Sequence, residues 1–109
     1  MMDLREYETE AGTSPFAEWF GTLDATAAAK VTTALTRLAH GNTSNVKGVG
    51  SGVLELKIDF GPGYRVYFGK DGADVAVLLD GGTKRRQQRD IAAAQGRWQD
   101  YKDRKKGKA

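Results

Sequence analysis

Four cations in the second half of the chain, Lys57, Arg65, Lys84 and Arg85, have the side-chain types and placement to hold a phosphate and move a proton beside it. Lys57 and Arg65 flank Gly61-Pro62-Gly63, a turn that folds its two flanking segments together as a hairpin. A hairpin closing on that turn sets Asp59 opposite Arg65 and Lys57 opposite Tyr67, with these side chains on one sheet face. Lys84 and Arg85 follow Gly81-Gly82 at the expected entrance to a third helix. Cations there oppose the helix dipole by roughly a few tenths of a kcal/mol, so the placement calls for a compensating anion. A phosphate would satisfy both the side chains and the free backbone N–H groups of the first turn. Arg86 and Arg89 extend this basic stretch, Lys47 sits in a loop upstream, and Tyr67 could stack on an unpaired base, which makes these four candidate nucleic-acid contacts.

Each assignment has a plainer alternative. Lys57 and Arg65 could form a salt lattice with Glu55 and Asp59 on a wet sheet face. Lys84 to Arg89 could be a solvated helix face, Lys47 a solvated loop residue, and Tyr64 and Tyr67 simple packing. His40, just before Gly41, is read as a polar helix end rather than a catalytic group.

Composition narrows the chemistry further. The 109 residues include no cysteine and one histidine, which excludes disulfides, thiolate catalysis and sulfur-ligated zinc and leaves little for another transition metal. No metal and no cofactor is expected. Residues 1 to 59 carry five Lys/Arg against eight Asp/Glu, whereas residues 60 to 109 carry twelve against six. A basic half of this kind suits a polyanion, because neutralising phosphates releases their counterions. No stretch approaches the ~18 apolar residues of a membrane span, and no signal segment is evident, so a cytoplasmic protein with no membrane partner is expected. Length fits one domain, read as residues 1–103, followed by a basic, disordered tail over 104–109.

The elements that must position the cations read as α+β. Leu4 to Glu8 is a weak first strand. Ser14 and Pro15 start a short helix with Phe16, Trp19 and Phe20 on one face, ended by Gly21. Asp24 caps a second helix with Val31, Ala34, Leu35 and Leu38 as its stripe, ended by Gly41. Asn42 to Gly52 reads as an irregular loop. Val53 to Phe60 alternates, with Leu54, Leu56, Ile58 and Phe60 on one side and Glu55, Lys57 and Asp59 on the other. Tyr64 to Phe68 returns, and Val75 to Leu79 is an apolar run typical of a strand covered on both faces. Gly81-Gly82 is read as ending that strand and Thr83 as capping the last helix, whose stripe is Ile91, Ala94, Trp98 and Tyr101. The order is β-α-α-β-β-β-α, an antiparallel meander packed against segregated helices.

Three segments together resemble a known family. They are Val53 to Ile58 with Gly61-Pro62-Gly63-Tyr64-Arg65-Val66-Tyr67-Phe68, then Leu78-Leu79-Asp80-Gly81-Gly82-Thr83-Lys84, then Gln87-Gln88-Arg89-Asp90-Ile91 with Trp98 downstream. They look like the HigB-type branch of the RelE/ParE toxin superfamily, the addiction-module killer proteins, over about residues 5 to 102. The resemblance implies a RelE-like, microbial-RNase-like fold and a type II toxin-antitoxin toxin that arrests growth. It also implies an endoribonuclease (mRNA interferase) that cuts translated mRNA on the ribosome. The implied partners are ribosome and mRNA, and a cognate antitoxin with a helix-turn-helix domain through which alone operator DNA is bound. By motif position Lys57, Arg65 and Lys84 or Arg85 are the implied catalytic cations. The chain has one lysine in the K-x-K part of the second strand, Glu55 taking the other place, so Lys57 and Glu55 both stand as candidate bases. A lysine base needs cationic neighbours to lower a pKa ordinarily near ~10.4. The rival expectation on the same scaffold is a ParE-like, non-enzymatic inhibitor of DNA gyrase.

Overall fold

The computed structural model describes residues 1–107. Strand β1 (Asp3–Glu6) precedes helices α1 (Pro15–Phe20) and α2 (Ala25–Ala39). Strands β2 (Val46–Gly48), β3 (Val53–Ile58), β4 (Tyr64–Lys70) and β5 (Val75–Thr83) follow, then a 3₁₀ turn (Lys84–Arg86) and helix α3 (Gln87–Gly107). The sheet runs β1-β5-β4-β3-β2, antiparallel from β2 to β5, with β1 parallel to β5 at the other edge. The fold is therefore mixed α+β.

Local chemistry explains the helices. Ser14 Oγ accepts from the Ala17 N–H at 3.0 Å and Asp24 Oδ1 from the Ala27 N–H at 2.8 Å, so each helix starts on a side-chain cap. After α2, Gly41 turns the chain at φ +98, a conformation that glycine reaches without a Cβ penalty. Val31, Leu35 and Leu38 face the sheet and meet Phe16, Leu56, Ile58, Val66, Phe68 and Leu78 in one apolar cluster. The opposite sheet face lies under α3, where Tyr7, Val53, Tyr67, Val77, Leu79, Ala94 and Trp98 form a second cluster. The sheet is thus covered on both sides.

Four expectations need correction. The segment expected as loop contains β2, whose Lys47 pairs with Glu55 and so widens the sheet by one strand. The first strand is Asp3–Glu6, displaced toward the N-terminus. Gly81 and Gly82 do not end β5, which continues through them to Thr83. They are glycines because a Cβ on Gly81 would meet the Trp19 ring and one on Gly82 the Asp90 carboxylate. Finally, the segment read as a disordered tail from 104 is helical through Gly107, and Lys105 binds Asp71 while Arg104 binds Asp100. Residues 108 and 109 lie outside the described residues.

Candidate functional site

The buried charge of the molecule lies on one side of the sheet. Glu55, Arg65, Asp80 and Asp90 are each less than a tenth exposed, and they come from β3, β4, β5 and α3. Pairing sets Lys57 directly opposite Arg65 and Glu55 directly opposite Tyr67. The expected pairs, Asp59 with Arg65 and Lys57 with Tyr67, are off by two residues. The connection takes in Asp59 and Phe60 as well as the glycines, with the Phe60 carbonyl accepting from Gly63 N–H at 3.0 Å. A shift of two keeps every side chain on its face, so Lys57 and Arg65 become direct neighbours.

Glu55 ties the cluster together. Its Oε2 accepts from Gln87 Nε2 at 2.8 Å and lies 3.7 Å from Arg65 Nε, while Oε1 lies 3.9 Å from Lys47 Nζ. Arg65 Nη1 donates to the Gly63 carbonyl at 2.8 Å, and the Lys84 backbone N–H donates to the same carbonyl at 3.0 Å. One oxygen therefore joins the hairpin turn, Arg65 and the entrance to α3, and Gly63 reaches the required geometry at φ +80. A buried charge is costly unless it is paired and hydrogen-bonded; Glu55 and Arg65 supply each other's counter-charge, while their hydrogen bonds run to Gln87 and to the Gly63 carbonyl.

Around this anchor, Lys47, Glu55, Lys57 and Arg65 line a concavity of 330 Å³ with Ser44 and Asn45. Three cations against one carboxylate leave it net positive. Lys47 and Lys57 are exposed, whereas Arg65 forms part of the floor. Lys84, Arg85, Arg86 and Arg89 line a separate 540 Å³ depression with Gln87 and Gln88. Of the expected catalytic cations, Lys57 and Arg65 are thus brought together, and Lys84 is joined to them by its backbone at Gly63 while its side chain lines the second depression. Arg85 lies apart with Arg86 and Arg89.

Tyr67 is corrected more strongly. It is fully buried, with no hydrogen-bond partner for its hydroxyl among the described residues, so it cannot stack on a base. Burial, and then the Glu55 charge, push its phenol pKa up and keep it protonated. The alternative reading holds in part: Arg65 does pair with Glu55, but beneath α3 at Glu55 and Tyr67 rather than on a wet face, and Lys57 is the exposed member.

A third region continues the polar strip. A bulge between Tyr67 and Phe68 inserts one extra residue on β5, pairing Tyr67 with Asp80 and Phe68 with Leu78. Strict alternation would send Asp80 to the α1/α2 side; the bulge re-aims it toward α3. There Asp80 Oδ2 meets Arg97 Nη1 at 2.6 Å and Oδ1 accepts from the Gly81 N–H at 2.8 Å. Asp90 packs over Gly82 with Oδ2 unpartnered, and burial, followed by the neighbouring Asp80, pushes its carboxyl pKa up. Gln87, Asp80 and Arg97 were missed as site residues, and Glu55, expected as a candidate base, is instead the buried anchor of the cluster. The available signal was helical phase, because Gln87, Asp90 and Arg97 run along the same face of α3 as Ala94 and Trp98.

These features define a mixed α+β protein with a cationic, carboxylate-anchored concavity beside the entrance to its last helix. The chain belongs to the family described as Phage derived protein Gp49-like (DUF891), whose model matches residues 18–99. It is also similar to an uncharacterized protein of Haemophilus influenzae, 40% identical over 83 residues that make up 75% of this chain and 84% of the relative. Residues 18–99, matched by the family model, include every residue of the cationic cluster.

Proposed function

We propose that this protein is the toxin of a type II toxin-antitoxin module, a RelE-like, ribosome-dependent and metal-independent endoribonuclease that cuts translated mRNA. The observation that supports this reading most is the direct cross-strand pair of Lys57 and Arg65 in a net positive concavity. In the proposed reaction an mRNA 2′-oxygen bonds to the adjacent phosphorus as the bond to the 5′-oxygen breaks, giving a 2′,3′-cyclic phosphate and a 5′-hydroxyl. Lys57, in its amine form, takes the 2′-OH proton, and Lys84 returns a proton to the leaving oxygen. Arg65, held by Glu55 and Gly63, offers fixed positive charge to the phosphorane.

Between the two candidate bases, accessibility favours Lys57. Glu55 is 1% exposed and occupied by Gln87, Arg65 and Lys47, so it is a positioning residue. The concavity is open, and a ribosome that orients the mRNA would supply the alignment it lacks. The proposed silencing partner is an antitoxin with a helix-turn-helix domain, which alone contacts operator DNA.

The test is induced expression followed by primer extension on translated transcripts. Lys57→Ala is the informative variant, because Lys57 is exposed and Arg65 is not. Cuts that appear with the wild type and vanish with a folded Lys57→Ala variant support the reading. Intact transcripts accompanied by DNA-damage signalling would replace it with gyrase inhibition.

A further inference from the structure

Beyond the two cation-rich depressions, the structure carries a 590 Å³ cleft of different character between α1 and α3, floored by the glycine end of β5. Its charged lining is balanced: Glu18, Asp80 and Asp90 face Arg86, Arg89 and Arg97. Charge balance makes it a poor second phosphate site. What the lining offers is carboxylate acceptors at the floor, exposed guanidinium donors at the rim and one aromatic wall.

That wall is Trp19. Its indole packs over Gly81 and edge-on against Tyr64, with ring centroids 6.2 Å apart, so its plane is held in place. At the floor, Asp90 is 7% exposed and its Oδ2 has no donor among the described residues, a cost that an incoming N–H pair would offset. Asp80 lies beside it, already fixed by Arg97 and the Gly81 N–H. Arg86 and Arg89 are exposed and line both this cleft and the cationic depression at the entrance to α3. A nucleic acid strand lying on Lys57, Arg65 and Lys84 would therefore lead toward the mouth of the cleft.

From this arrangement we infer that the cleft is a base-recognition subsite selective for guanine, resting on the ribonuclease reading for its place along an RNA strand. Guanine is the base that presents both a donor pair, N1–H with N2–H₂, and an acceptor pair, O6 with N7. Carboxylates accept the first and an arginine fork donates to the second. Trp19 supplies the stacking surface on which unpaired RNA bases are read. Adenine, cytosine and uracil all lack the donor pair, and none of them carries the O6 and N7 acceptor pair.

Binding of the four nucleoside 5′-monophosphates and of inosine monophosphate to the full chain tests this without relying on cleavage. The Trp19 indole resonance reports occupancy at the cleft. Guanosine monophosphate is expected to shift it and to bind about tenfold or more tightly than the adenosine, cytidine and uridine monophosphates. Inosine monophosphate, which lacks only the N2 amine, is expected to lose most of that margin on the unaltered protein. Asp90→Asn is expected to erase the preference. Equal binding of all five, or no shift at Trp19, overturns the inference. Transcript cuts with no guanine preference alongside absent nucleotide binding would remove the subsite while leaving the ribonuclease; guanine-selective binding without cuts would do the reverse.

Discussion

The two faces of the sheet are built from the same strands and solve different problems. Beneath α1 and α2 the buried residues are Phe16, Val31, Leu35, Leu38, Leu56, Ile58, Val66, Phe68, Ala76 and Leu78, without a charge among them. Beneath α3 the apolar cluster shares its space with Glu55, Arg65, Asp80 and Asp90. Arg65 Nε, Tyr67 Oη and Asp90 Oδ2, without a hydrogen-bond partner among the described residues, belong to that face as well. Close-packed apolar contact stabilises a fold most directly, whereas buried ion pairs often do no better than apolar residues of the same shape. The contrast teaches that the α1/α2 face holds the protein together and the α3 face keeps costly polar groups that the proposed chemistry uses.

The largest effect is expected on the dry face. Phe68→Ala should lower stability by about 3–5 kcal/mol in urea denaturation, since it empties a 1%-exposed site between α2 and the sheet. A loss below about 1 kcal/mol would mean that this face is not the principal core. On the polar face, Glu55→Gln should cost less, about 1–3 kcal/mol, because a neutral amide leaves Arg65 buried without its counter-charge. The same variant should lower cleavage by misplacing Arg65, and unchanged cleavage would show that Glu55 does not position it.

A smaller difference should appear with pH. Asp90 has its carboxyl pKa raised by burial and then by Asp80, so the folded state binds its proton more tightly than the unfolded chain does. Its stabilising contribution is therefore complete below about pH 3.9 and is lost as pH rises through the raised value. Asp71 and Asp100 behave oppositely. Hydrogen bonds from Lys105 and Tyr101 lower Asp71, and those from Tyr7 and Arg104 lower Asp100. Their contributions are present above about pH 3.9 and are lost as pH falls through the lowered values. Amide exchange across α3 should thus quicken in the first turns as pH rises above about 4, after correction for intrinsic rates, and in the last turns below it. Asp90→Asn should abolish the first trend and leave the second.

The smallest effect belongs to Lys47. It is exposed and 3.9 Å from Glu55, so Lys47→Ala should change stability by less than about 0.5 kcal/mol. RNA affinity should fall nonetheless, with the salt dependence of binding reduced by about one unit of slope. An unchanged slope would place the RNA path elsewhere.

The dry face was the more legible of the two from sequence. Ser14 with Pro15, Asp24, Gly41 and the Val31-Leu35-Leu38 spacing are local signals, and each operates within a few residues. Strand alternation also separated Leu56 and Ile58 from Glu55 and Lys57 correctly. The polar face depended on longer-range facts. β2 is three residues among glycines and asparagines and exists through its pairing with β3, so no periodicity announces it. The register of Arg65 depended on how many residues the turn consumed. Tyr67 looked available for stacking because the reach of α3 over the sheet is a tertiary property. Asp80 faces α3 through a bulge, a feature that an apolar run such as Val75 to Leu79 conceals.

The central claim is that Lys57, across from Arg65, acts on a scissile RNA phosphate. Primer extension on a translated reporter, comparing wild type with a Lys57→Ala variant of unchanged melting temperature, tests it most directly. The expected result is cleavage within the reading frame by the wild type, ending in 5′-hydroxyl fragments, and a loss of about 10²–10⁴-fold in the variant. Equal cleavage by both proteins, or no cleavage by the wild type, would contradict it.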